Sequence, residues 1–530
     1  MSNKKLARKI GQLLVVGFNG KAITPEIKEL IHDYHVGSII LFSRNIGEPE
    51  EVLQLTSSLQ KEAKAAGYEK PLFICLDQEN GVVSRMHQGM TTFPGAMALG
   101  AADESQHAYE VGLATGRELR ALGINWNLAP VLDVNNNPEN PVIGVRSFSE
   151  NPQKVAAFGK AIMKGLQDAG VMTSLKHFPG HGDTSVDSHL DLPVISHEVE
   201  RLEKVELVPF QACIQAGADT VMAAHVYFPA IEPKANTPAT LSKQVYVKLL
   251  REKLGFQGAI TTDCMEMKAV SNSVGTEKGA VKALQAGTDF VMVSHTYPVQ
   301  KGTIQAITDA VESRELHASR IEASFQRIQL LKEKYTSWED TLSSDKEKAL
   351  QIVGSKEHHQ LARKVYRESV TMVHNNQLLP LKVDKQLQVL VLEPAHSFMT
   401  QVEDKTSQQK SLGSAVREYI PHAAVEVYDE NKLEHEMEKL VHAAKKVDYI
   451  ILGTKTVTEK SPVIAFVNRL VKDNSNIIGV GIRNPYDFHY LNKLRAFINT
   501  YEPSYPALQA AAGVIFGREK ARGTLPVNIG

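Results

Sequence analysis

Cysteine is scarce in this chain: the three in 530 residues, Cys75, Cys213 and Cys264, form neither a disulfide framework nor a zinc pattern. Net charge is missing too. The 59 Lys and Arg against 60 Asp and Glu leave a formal charge of -1, which offers no electrostatic footprint for nucleic acid or an anionic membrane. No stretch approaches the length of a membrane span. Lys4, Lys5, Arg8 and Lys9 precede an apolar run, Leu13 to Phe18, but that run is shorter than a signal-peptide core and no small-residue cleavage site follows it. A buried first strand accounts for it, and the chain reads as cytoplasmic. There is no low-complexity tract, and no glycine-rich dinucleotide fingerprint follows the first strand.

What is present is soluble-protein composition, 43% apolar and 22% charged, over a length that suits two or three domains. Through the first two thirds, short apolar runs alternate with longer segments of helical period. Strands are predicted at 12–18, 36–42, 71–77, 124–134, 171–178, 219–226, 258–263 and 288–294. Helices are predicted between them at 50–66, 107–122, 152–169, 198–216, 242–254 and 277–286. Near-continuous apolar strands separated by helices imply a parallel sheet covered on both faces. Eight such units predict an N-terminal (β/α)8 TIM-like barrel over 1–335, with a doubly wound sheet as the alternative. An amphipathic helix at 318–335 leads into a polar stretch, 336–350, read as a linker. Strands at 389–392, 425–427, 449–452, 477–482 and 496–498 then predict a C-terminal αβα sandwich domain over 351–530.

In a barrel, chemistry belongs where strands end. Asp77, Lys176-His177, His225 and Asp263 end the third, fifth, sixth and seventh predicted strands, and His295 follows the eighth. The densest polar stretch runs from Lys176 to His189, with three histidines, two aspartates and a lysine in fourteen residues. Gly180 and Gly182 flank His181, which opens backbone conformations closed to other residues. Three chemistries fit such a loop. His177, His181, Asp183, Asp187 and His189 offer imidazole and carboxylate to a metal, although their spacing matches no metal motif. A Ser-His-Asp triad would need a nucleophile elbow, and none is present. Acid–base chemistry needs a carboxylate beside a histidine, and Asp187 and His189 are two apart, on one side of an extended segment.

Lys176-His177-Phe178-Pro179-Gly180-His181-Gly182 followed by Asp187-Ser188-His189 resembles the signature loop of glycoside hydrolase family 3 β-N-acetylglucosaminidases. The resemblance extends to Asp77-Gln78-Glu79-Asn80-Gly81 with Arg85, to Gly144-Val145-Arg146-Ser147-Phe148 and to Thr262-Asp263-Cys264-Met265-Glu266-Met267. Near the C-terminus, 512–517 and 523–527 are similar to the end of the family's second domain. The resemblance implies Asp263 as nucleophile, His189 as acid/base and Asp187 as the partner that orients it. It implies Asp77, Arg85, Arg146, Lys176 and His177 as the groups that hold the sugar, with a buried salt bridge as the alternative role for Arg85 and Arg146. His181 is expected to shape the loop, while His225 and His295 are candidate rim residues.

The implied activity is retaining hydrolysis of terminal β-linked N-acetylglucosamine, with muropeptides from cell-wall recycling as the source and no metal or cofactor. No nucleic acid, membrane or obligate protein partner is expected. A phosphorylase on the same scaffold and a catalytically silent sugar-binding protein are the alternatives. The chain departs from the pattern at Asn80 and Val82, where the family commonly has glycine and arginine, and at Cys264, where a small residue is usual. Loss of the arginine charge at Val82 is expected to alter recognition beyond the sugar.

Overall fold

The computed structural model describes residues 3–86, 88–189, 191–343, 345–397, 400, 402–403 and 410–529. Eight short strands form its first sheet: β1 (Leu14–Val16), β2 (Ser38–Ile40), β3 (Phe73–Leu76), β4 (Trp126–Asn127), β5 (Met172–Phe178), β6 (Thr220–Ala223), β7 (Ala259–Cys264) and β8 (Phe290–Val293). They pair in parallel in chain order, and β8 closes on β1 with Val291 opposite Leu14. Nearly every strand residue is buried, which is why the strands read as apolar runs without alternation. Phe73, Trp126 and Phe290 pack together inside, with ring centres 5.9, 6.3 and 5.0 Å apart. Below them the buried Lys332 ammonium donates to Pro71 O at 2.9 Å and Gln12 Oε1 at 3.0 Å, and burial pushes its pKa down to about 7. This end of the barrel is plugged.

The second sheet has β9 (Thr371–Asn375), β10 (Val389–Pro394), β11 (Ala424–Tyr428), β12 (Tyr449–Thr454), β13 (Ile477–Gly481) and β14 (Ala496–Asn499) in the order β11-β10-β12-β13-β14-β9. All pairs are parallel except β9 with β14. Alternate residues serve opposite faces: Leu390, Leu392, Ile450 and Leu452 pack on one side, Val391, Ile451 and Ile478 on the other. The latter face shares one apolar cluster with Leu99, Val111, Phe158 and Ile162 of the barrel's outer helices. Glu502 fastens the seam, accepting from Gly95 N at 2.7 Å and Tyr366 Oη at 2.6 Å.

Four expectations change. The edge strand β9 is absent from the predicted set, because its burial fades along its length and leaves neither an apolar run nor clean alternation. The single helix predicted at 198–216 is two, Val199–Lys204 and Leu207–Gln215. They part at Glu206, whose buried carboxylate accepts from Arg201 and Asn136, each at 2.9 Å. The stretch 336–350 is no free tether: Trp338–Ser343 and Lys346–Ile352 are helical, and Trp338 Nε1 donates to Glu69 O at 3.0 Å. A helix, Asn3–Gln12, precedes β1. Among the described residues no helix is long and apolar enough to cross a membrane.

Candidate active site

Two strands lose register where their chemistry begins, β5 between Leu175 and Phe178 and β7 between Thr261 and Cys264. Such irregularities re-aim side chains. They release Lys176-His177 and Asp263 from the strand's regular pairing at the C-terminal mouth of the barrel. There Asp77, Arg85, Arg146, Lys176, His177, His189 and Asp263 line one cavity of about 420 Å³. Asp187 stands behind His189. All eight residues singled out in the sequence therefore gather at one place.

A charged network forms one wall. Lys176 Nζ donates to Asp77 Oδ1 and sits equally close, at 2.7 Å, to Glu79 Oε1. Arg146 grips Glu79 through two bonds of 2.8 Å, and Arg85 lies 3.6 Å from Asp77 Oδ2. Burial works against these charges, yet pairing prevails. Arg146 and Lys176 hold the Glu79 carboxyl far below the usual carboxylate range, and the pKa values of both cations are raised. Arg146 thus spends its fork on a buried salt bridge while it lines the cavity. Glu79 is a site residue that sequence reasoning passed over, although it stands within the quoted Asp77-Gln78-Glu79. Asp133 is another, a charge inside the predicted fourth strand. Its Oδ2 accepts from His177 Nδ1 at 2.7 Å and its Oδ1 from His181 N, also at 2.7 Å.

The loop after β5 is anchored along much of its course. Gly182 passes so close to Val134 that an added Cβ would stand 1.7 Å from its carbonyl oxygen, and Gly180 has a φ of +140°. Asn140 Nδ2 donates to His181 O at 2.9 Å and Gly182 O at 2.8 Å. The His181 ring bonds Thr184 Oγ1 at 2.9 Å and Ser188 Oγ at 3.0 Å, so its place is structural. Burial, aided by His177, pushes its pKa down to about 4. Between pH 6.5 and pH 4 the unfolded chain binds a proton here that the folded chain refuses. Stability is therefore lost as pH falls through that window, by about 3 kcal/mol in all. His181→Gln is expected to flatten the unfolding midpoint against pH between 6.5 and 4; parallel curves for the two proteins would refute this.

Past that anchor the loop presents His189. Its Nδ1–H donates to Asp187 Oδ1 at 2.7 Å and its backbone N–H to the same oxygen at 2.9 Å, which leaves Nε2 for the cavity. Burial raises the Asp187 pKa, but the bonds from His189 outweigh it and the net shift is downward. Asp263 behaves alike: burial opposes its charge, while His225, His177 and His189 more than compensate. Its Oδ1 accepts from Cys264 N at 2.7 Å, and Oδ2 has no hydrogen-bond partner among the described residues.

Four residues at the mouth were not assigned from sequence. The Arg44 guanidinium lies 4.4 Å over the Phe42 ring, fixed by Phe18 O and Ser294 O at 2.9 Å each. Phe42 packs on His295 with ring centres 5.0 Å apart, so His295 is a rim residue as expected. Glu403 and Val402, from the stretch that follows β10, reach across from the second sheet and line the cavity, and Val402 O accepts from Arg85 Nη1 at 2.9 Å. His225 is no rim residue; it is buried behind Asp263.

The departures also find places. Asn80 takes a left-handed φ of +69°, a region asparagine tolerates better than other non-glycine residues, and its amide bonds Gln78 and Thr115. Val82 packs beside Tyr486 and Tyr501 and does not line the cavity, so the expected effect on recognition has no contact behind it. Cys264 is buried against the cavity.

A cavity of this size, lined by paired cations and carboxylates at the C-terminal mouth of a barrel, suits a pyranose and its vicinal hydroxyls. The sequence profile described as "Glycosyl hydrolase family 3 N terminal domain" matches residues 5–331. The chain belongs to glycosyl hydrolase family 3. It is 31% identical to Beta-hexosaminidase A of Pseudoalteromonas piscicida, over 96% of this chain and 91% of that one. The solved structure of a glycoside hydrolase family 3 β-N-acetylglucosaminidase from Paenibacillus sp. str. FPU-7 superposes with a TM-score of 0.90 at 38% identity, covering 99% of both chains. A fungal multi-domain GH3 β-N-acetylglucosaminidase gives 0.92 at 39% identity, and the chain spans 60% of its length.

Proposed function

We propose that this protein is a retaining β-N-acetylglucosaminidase that removes terminal β-linked N-acetylglucosamine by double displacement. The observation that carries this is the placement of a partnered imidazole, His189 on Asp187, and a carboxylate, Asp263, on one sugar-sized cavity. The full-length similarity to proteins named for this activity supports it. In the first step Asp263 Oδ2 attacks the anomeric carbon while His189 gives its Nε2 proton to the glycosidic oxygen, and the aglycone leaves. In the second, His189 takes a proton from water, the water oxygen bonds the anomeric carbon, and Asp263 departs as carboxylate. Asp187 keeps the His189 proton on Nδ1, so that Nε2 faces the sugar. Asp77, Arg85 and Lys176 bind hydroxyls, His177 lines the floor, and Arg146 acts largely by fixing Glu79.

Muropeptides from cell-wall recycling are the proposed natural substrates. A ring platform and a fixed guanidinium at the mouth suit an aglycone that is a sugar with a carboxylate. Three unpaired, buried cysteines suit a reducing, cytoplasmic setting. Water is the proposed acceptor, because Lys176 and Arg146 are committed to Asp77 and Glu79 and reserve no phosphate site. NMR of the products from p-nitrophenyl β-N-acetylglucosaminide at millimolar phosphate tests this. Free β-configured N-acetylglucosamine as first product is expected; N-acetylglucosamine 1-phosphate as the main product would mean phosphorolysis, and an α-configured first product would mean inversion.

A further inference from the structure

His225 follows β6, beside the strand of the nucleophile, and no step above uses it. It is 1% exposed. Its Nε2 lies 2.9 Å from the Cys264 carbonyl, which can only accept, so Nε2 carries a proton. Its Nδ1 lies 2.6 Å from Thr240 Oγ1, whose own hydrogen reaches Ala224 O at 2.8 Å. With that hydrogen committed, Nδ1 donates as well and the ring is an imidazolium. When the hydroxyl turns to Nδ1 instead, Ala224 O keeps the Thr240 backbone N–H at 3.3 Å and the ring is neutral. The site accepts either state without moving a heavy atom. Burial is the largest influence and favours the neutral ring, Asp263 favours the charged one, and His189 and His177, the other titratable groups that face it, oppose the charge; the net shift is downward, so the ring takes its proton only toward acid pH. Cys264, held from its carbonyl side by His225, gives its N–H to Asp263 Oδ1 at 2.7 Å.

We infer that His225 is a positioning residue for the nucleophile: it holds Cys264 by its carbonyl so that the Cys264 N–H grips Asp263, and when the ring takes a second proton, toward acid pH, it places a positive charge beside that carboxylate. The inference rests on the assignment of Asp263 as nucleophile. Two effects follow and they separate. Loss of the grip misplaces Asp263, which slows the chemical step. Loss of the charge lets Asp263 hold its proton to higher pH, which moves the acid limb of activity upward.

The test is kcat/KM against pH on the p-nitrophenyl glycoside for wild type, His225→Ala, His225→Gln and Thr240→Val. Glutamine offers an N–H to the Cys264 carbonyl but cannot become charged. Thr240→Val keeps that contact and removes the partner of Nδ1–H. His225→Ala is expected to lose about 10- to 100-fold at the optimum, through kcat rather than KM. His225→Gln should recover most of that loss. In all three variants the acid limb should rise by about half a pH unit or more. An unmoved acid limb, or a loss in His225→Gln as deep as in His225→Ala, overturns the inference. If His225→Ala does not fold, the other two variants decide on the limb alone. Asp263→Asn serves as the control: retained activity there refutes the nucleophile assignment itself, whereas an inactive Asp263→Asn beside unaffected His225 variants refutes only the inference.

Discussion

Asp263→Asn should fold normally and lose turnover by about 10⁴- to 10⁶-fold, the scale seen when a covalent nucleophile is removed. Asparagine keeps an oxygen for the Cys264 N–H that Asp263 Oδ1 now accepts, so the local bond survives while the attacking charge does not. The environment makes the loss severe. Burial alone would raise the pKa of this carboxyl, and three histidines more than offset that, so the net shift is downward and favours the carboxylate. A neutral amide makes no use of that arrangement. A fluorinated mechanism-based N-acetylglucosaminide should label Asp263 in the wild type, and peptide mapping that finds the label on another residue would end the assignment.

His189→Ala should fall into a different pattern. The first step needs a proton on the departing oxygen only when the leaving group is poor. Disaccharide cleavage should therefore drop by about 10²- to 10⁴-fold, while an activated aryl glycoside loses far less of its first-step rate. The second step, which needs a base for water, should slow for both, and the glycosyl-enzyme should accumulate with the aryl substrate as a burst. Asp187→Asn should show a milder version of the same pattern, because the His189 Nδ1 proton then lacks its carboxylate at 2.7 Å. Equal first-step losses on activated and unactivated glycosides would show that His189 is not the general acid.

How much of this was legible in the sequence depends on the kind of residue. Asp77, Lys176 and Asp263 stood out because each puts a charge at the end of an apolar run, where burial without a partner is costly. Glu79 and Asp133 hid because what defines them is a partner far along the chain; Arg146 is 67 residues from Glu79. Phe42 ended a predicted strand and Arg44 lay just past it, and only barrel closure brings β8 and His295 against them. The register shifts in β5 and β7 leave no trace in strands that are buried almost throughout and so carry no alternation to break. His225 was legible as a strand end but not as buried, since the turn at Ala239–Leu241 that covers it lies a long loop away.

The apolar seam between barrel and second sheet bears on how fast sugars come and go. A cleft between two lobes opens by a hinge, and a hinge needs an interface that water can re-enter cheaply. Here Leu99, Val111, Phe158 and Ile162 share one cluster with the second sheet, so parting the lobes would wet the core of both. Val402 is tied to the barrel separately, its carbonyl accepting from Arg85 Nη1 at 2.9 Å. Opening the lobes is therefore a costly way for a sugar to enter or leave.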